Sequence, residues 1–146
     1  MEIMQDVVPS TIKAAVAQLE HVLSDNQRNF ILSNNDASDW TLMHFGVGTS
    51  LRNSWSLWDP DTPLKRDAVR TYGIAHADDI SGLIIAWLWA VVRGEPFDPL
   101  EHCQRYHRHW KHMGMTSLAA GGWRDDGSAP IQETCNQQRK GDERER

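Results

Sequence analysis

His76-Ala-Asp-Asp-Ile-Ser-Gly-Leu-Ile-Ile-Ala-Trp-Leu-Trp-Ala-Val-Val-Arg-Gly94 is the stretch that decides the fold class. From Ala77 to Arg93 there is no proline, and Ile80, Leu83, Ile84, Ile85, Trp87, Leu88, Val91 and Val92 surround most of a helical wheel. A helix apolar nearly all round is a buried one. His76 or Asp78 supplies the N-cap, with carboxylates in the first turn where the helix dipole favours negative charge. Gly94 stops the helix. The unbroken apolar part, Gly82 to Val92, is too short for a bilayer, which needs about 20 residues.

A buried rod needs partners, and the flanking sequence supplies them. Downstream, Asp98-Pro99 with Glu101 reads as a cap, a first-turn proline and a capping-box acid. The helix they open puts Cys103, Tyr106, His107 and Trp110 on its inner face. Upstream, Leu64 to Tyr72 reads as a short helix stopped by Gly73. A longer helix is expected over Ser38–Leu57, with Trp40, His44, Val47, Leu51, Trp55 and Trp58 on one face, ended by Asp59-Pro60-Asp61-Thr62-Pro63. Near the N-terminus Ser10 caps a helix whose stripe is Ile12, Ala15, Val16, Leu19, Val22 and Leu23. A further short helix covers Ser24–Leu32. No segment alternates with period two as a strand would. The expectation is an all-α, compact bundle of five or six helices over residues 1–112. Residues 113–146, rich in glycine and charge, read as a mostly disordered, flexible C-terminal tail. Trp123 is the tail's one large apolar residue and a candidate to dock on the core or a partner.

Composition bounds the function. With 146 residues, 40% of them hydrophobic, the chain has material for one domain core. A formal net charge of −5 argues against direct nucleic-acid binding, which needs phosphate neutralisation. Residues 113–146 carry five basic and six acidic groups, so they form no basic arm. Cys103 and Cys135 build no disulfide framework, which fits a reducing cytoplasm, and the first residues lack the pattern of a secretory signal. Neither a membrane span nor a cofactor is expected.

The chemistry-bearing residues fall in a few clusters. His102, His107, His109 and His112 crowd one helix, yet none are four apart. His109 and His112 lack a third ligand, so solvated surface histidines and no metal site are expected. His76-Ala77-Asp78-Asp79-Ile80-Ser81 places two acids beside a histidine, as a cation or acid–base site would; a helix start needs the same residues for capping. Arg52, in an apolar helix, must reach water or meet a carboxylate. Asp79 and Asp78 are the expected partners. A guanidinium at a cleft edge also binds carboxylate or phosphate, so Arg52 and Asn53 are candidate ligand residues. His44 on an apolar face is a core histidine unless it converges with His76 and Asp79. Of the tryptophans, Trp58 and Trp89 are the expected exposed ones, and exposed tryptophan is a frequent interface anchor.

Two of these segments also resemble a family. His44-Phe-Gly-Val-Gly48 with Leu51-Arg-Asn-Ser-Trp-Ser-Leu-Trp58, followed by His76-Ala-Asp-Asp-Ile-Ser81, is similar to a small family of uncharacterised bacterial and phage proteins. Its members pair H-F-G-x-G-x-x-I-R-N-x-W-G-L-W with a later H-P-D-D-M-S. The resemblance covers about residues 40–112 and implies that the two segments form one unit; it implies no reaction. Here Ser56, Ala77 and Ile80 stand where the family has glycine, proline and methionine. With Ser56 in place of the glycine, the helix is expected to continue through that position.

Two function classes follow. The first is a small acidic protein that binds a macromolecular partner, a protein, in a phage or mobile-element accessory or inhibitor role. The second is an enzyme or anionic-ligand binder with a pocket of His44, Arg52, Asn53, His76, Asp78 and Asp79. In that pocket Arg52 holds the anion, and Asp79 or His76 acts as base. A self-associating structural subunit is a third reading.

Overall fold

In the computed structural model, residues 7–33 and 47–128 are described. Seven α-helices form among them and no strand does. They are α1 (Ile12–Val22), α2 (Asp25–Ser33), α3 (Thr49–Ser54), α4 (Pro63–Asp67), α5 (Ala77–Arg93), α6 (Pro99–His112) and α7 (Ser117–Ala120). Helix α4 runs on into a wider π turn over Ala68–Tyr72. The protein is all-α, as its periodicity requires.

Helix α5 is the axis, and α1, α2, α3 and α6 pack around it. Ile80, Leu83, Ile84, Ile85 and Leu88 are fully buried on it. The Nδ1 of His76 accepts the Asp78 N–H at 3.1 Å and so caps its N-terminus. Gly94, in the left-handed region, ends it. In α6 the Asp98 carboxylate accepts from the N–H groups of Leu100 and Glu101, and Pro99 takes the first turn. Helix α1 buries Ile12, Ala15, Val16 and Leu19. Its cap is Thr11 and not Ser10: the Thr11 hydroxyl accepts from Ala14 N–H, and the Ile12 N–H donates to Asp67 Oδ2 at 2.8 Å. Ser24 and Gln27 exchange side-chain and backbone bonds at the start of α2, a reciprocal cap.

Two further expectations are corrected. The helix reaching Leu57 ends at Ser54, and residues 38–46 of that span, with Trp40 and His44, lie outside the described residues. Ser56 adopts φ +53° and reverses the chain, while the Leu57 N–H closes onto the Arg52 carbonyl at 3.0 Å. This is a left-handed helix stop of the kind glycine favours. Trp55 and Leu57, on either side, are both fully buried and hold the serine in this conformation. That burial outweighs a left-handed penalty of roughly 1–2 kcal/mol.

The second correction concerns the segment after residue 112. Part of the chain from Met113 to Ser128 is docked: α7 forms, and Trp123 is 3% exposed against Val69, Ala75 and Leu118, while residues 113–116 and 124–126 stay exposed. Its indole N–H donates to the Pro60 carbonyl at 2.8 Å. Gly121 lets the backbone lie on Ala75, since a Cβ there would overlap the Ala75 carbonyl group. One indole, one close backbone approach and a contact of Ser117 with His107 hold a stretch whose composition reads as tail. Residues 129–146 lie outside the described residues. Among the described ones, no single helix is long and apolar enough to cross a membrane.

Candidate functional site

Helices α3, α5 and α6 bring the two motif segments together. Arg52, on α3, is 9% exposed and lies against the first turns of α5. Its Nη1 donates to Ser81 Oγ at 2.8 Å, its Nη2 to Thr49 Oγ1 at 3.1 Å, and its Nε lies 3.5 Å from Asp78 Oδ1. Asp78 and Ser81 are three residues apart, so they share one face of α5 and meet the guanidinium together.

Asp79 is not a partner of Arg52, contrary to expectation. The next residue along a helix points about 100° away, so only one of two adjacent acids can face α3. Asp79 faces α6, where its Oδ2 accepts the Trp110 indole N–H at 2.8 Å. Burial pushes the Asp79 carboxyl above its usual range. The Trp110 bond and the nearby His76 and His109 pull the other way, and Asp78 adds to the rise.

His76 sits between two indoles. Trp58 meets its ring edge-on, with centroids 5.8 Å apart, and Trp110 lies tilted against it at 5.3 Å. Because Nδ1 accepts the Asp78 N–H, a neutral ring carries its proton on Nε2, a tautomer inferred from the hydrogen bond. Trp58 itself is 57% exposed on the turn that Ser56 creates. The exposed Asp59 and Asp61 follow it in the chain, and Asp78, 52% exposed at its side chain, lies beside His76. Trp89, the other tryptophan expected at the surface, is half-buried and meets Phe30 edge-on.

Of the sequence candidates, Arg52, Asp78, His76 and Trp58 thus form one continuous group, and Asp79 joins it through Trp110. Asn53 is exposed and makes none of these contacts. His44 lies outside the described residues. Thr49, Ser81 and Trp110 join the group without being among the candidate site residues that the sequence offers. Ser81 was legible in principle, one turn beyond Asp78 within the same motif; the Trp110–Asp79 bond depends on how α6 crosses α5.

The histidines of α6 divide. His102 Nε2 and the Tyr106 hydroxyl lie 2.9 Å apart, and burial drives the His102 pKa down to about 4. His107 Nδ1 lies 2.6 Å from Ser117 Oγ and ties α7 to α6. These two are structural, correcting the expectation that all four are solvated; His109 and His112 are exposed. Among the described residues no three His, Cys, Asp or Glu side chains converge as a metal site requires.

Residues 8–91 match a family described as a domain of unknown function, DUF6794. The chain belongs to that family. No curated protein and no solved structure matches it. The DUF6794 segment contains Arg52, Trp58, His76, Asp78, Asp79 and Ser81. It ends within α5, so Trp110 and Trp123, which brace this group, come from chain beyond it.

Proposed function

We propose that the protein works by binding a partner protein through the surface centred on Trp58. The observation that carries this reading is an indole more than half exposed yet held in place by His76, which is itself backed by Trp110. A pre-positioned aromatic side chain loses little freedom on docking, the property of interface anchors. Asp59 follows it in the chain, an exposed carboxylate with no ion pair among the described residues, which favours a basic partner surface; Asp61 and Asp78 are paired with Arg66 and Arg52. A cytoplasmic accessory or inhibitor role in a phage or bacterial setting accords with this charge, with the family resemblance and with the buried free thiol of Cys103.

The competing reading, a pocket for a small anion, requires a guanidinium with donors to spare. Arg52 directs its guanidinium to Ser81, Thr49 and Asp78, which favours an architectural role. Affinity capture from host lysate with the wild type, Trp58→Ala and Asp59→Asn/Asp61→Asn, followed by calorimetry with the purified captured protein, tests the proposal. Affinity should fall about tenfold or more for Trp58→Ala. Equal capture and equal affinity by all three proteins would overturn it.

A further inference from the structure

The outer face of α6 carries positive charge that the fold does not use. Arg105, Arg108, Lys111, His109 and His112 are all exposed there, within an arc of about 160°. No ion pair or hydrogen bond of the Arg105, Arg108 or Lys111 side chain forms among the described residues. Of the other arginines, Arg52 is engaged as above, Arg66 with Asp61, Arg93 with Glu95 and Arg28 with the Glu20 carbonyl; Arg70 and Arg124 are exposed and lie on other parts of the chain, whereas α6 gathers its cations on one face. In a chain of net charge −5, such a face is not a by-product of composition.

Helix chemistry explains only part of it. Cations in the last turn complement the helix dipole, which accounts for His109, Lys111 and His112. Arg105 and Arg108 lie further back, and like charges three residues apart destabilise a helix. An open cleft of about 420 Å³ lies at the head of this row. Phe97, His102 and Gln104 line it together with Arg105 and Arg108; Asp98 and Glu101 also border it. The Asp98 carboxylate is occupied in capping α6.

The geometry points to a docking face for an acidic peptide segment of a partner protein, its carboxylates on Arg105, Arg108 and Lys111 and one apolar side chain in the cleft against Phe97. The row from Arg105 to His112 is about 10 Å long, and its three- and four-residue steps match carboxylates spaced along one side of a short peptide. Nucleic acid fits less well, because its phosphates continue past the row, at whose head Asp98 and Glu101 border the cleft. This inference stands apart from the Trp58 surface and survives without it.

The test is fluorescence anisotropy with a labelled oligo-glutamate peptide carrying one phenylalanine, beside a labelled single-stranded oligonucleotide, at low and at moderate salt. The wild type should bind the peptide more tightly than the oligonucleotide, and added salt should weaken the binding. Arg105→Glu/Arg108→Glu should lose about tenfold in affinity. Lys13→Glu/Arg124→Glu, with the same change in net charge at exposed sites elsewhere, should stay within about twofold. Arg105→Gln/Arg108→Gln repeats the test without reversing charge, and thermal melts confirm that each variant is folded. Tighter oligonucleotide binding, equal loss in the two charge-reversed pairs, or no peptide binding at low salt would each overturn the proposal.

Discussion

Trp110 of α6 donates its indole N–H to the buried carboxylate of Asp79 on α5, at 2.8 Å. The same ring lies against His76, the cap of α5. One side chain from beyond the DUF6794 segment therefore serves both a buried acid and the helix start within it. Trp110→Phe keeps most of the packing and leaves the carboxylate without this donor. Loss of a hydrogen bond to a charged group costs about 1.5–3 kcal/mol, and urea denaturation of the variant at neutral pH should show a loss in that range.

The same acid gives stability a definite pH dependence. Burial raises the Asp79 pKa in the folded protein above the ordinary 3.8. Between 3.8 and the raised value the folded chain holds more protons than the unfolded one, so this group's contribution falls as pH rises, then levels off. Asp79→Asn removes the titration and retains an oxygen that accepts from Trp110. Its stability profile, measured by denaturant titration from acid to neutral pH, should decline less steeply than that of the wild type.

Arg52 and Asp78 separate burial from charge. Arg52 is buried, whereas Asp78 is half exposed and its attraction is screened by solvent. Asp78→Asn should cost less than about 1 kcal/mol. Arg52→Ala strips partners from Ser81 and Thr49 and empties packed space, and should cost about 2–4 kcal/mol. Arg52→Lys should recover less than half of that loss, because one ammonium cannot reach all three partners in the guanidinium geometry. Thermal melts of the three variants check the order.

At Ser56 the local rule and the tertiary structure disagree. Its φ of +53° favours glycine. Ser56→Gly should raise stability by up to about 1 kcal/mol, the left-handed strain relieved less the extra freedom of the unfolded glycine. A lower denaturation midpoint for the variant would contradict this account.

Residues whose role is set by a one-dimensional pattern were legible in the sequence. Ile80, Leu83 and Ile84 follow the helical period, and Asp98-Pro99 marks a helix start through local bonds alone. Even the meeting of Arg52 with the first turn of α5 follows from the need of a buried guanidinium for an anion. What escaped depends on how elements cross. Which of Asp78 and Asp79 faces α3 is set by the rotation of α5 about its own axis, a quantity no local signal encodes. The reversal at Ser56 follows from the simultaneous burial of Trp55 and Leu57. The docking of Trp123 depends on a carbonyl 63 residues earlier in the chain.

That last contact links the end of the described chain to the Trp58 surface. Trp123 holds the Pro60 carbonyl, two residues beyond Trp58, and Gly121 lets α7 lie flat on Ala75. A methyl group at Gly121 cannot be accommodated, because what it would meet is backbone. Gly121→Ala should therefore lift the segment off while leaving α5 and its packing in place. Trp123→Phe should do less, losing the hydrogen bond at about 1 kcal/mol and keeping most of the apolar contact. In hydrogen exchange, Gly121→Ala should expose amides in residues 117–123 and in the turn around Asp59–Asp61, with the amides of Ile80–Leu88 unchanged. Trp58 would then sit on a looser turn, so the same variant should weaken partner capture less than Trp58→Ala does. Unchanged exchange in the Asp59–Asp61 turn would show that Trp123 does not hold it.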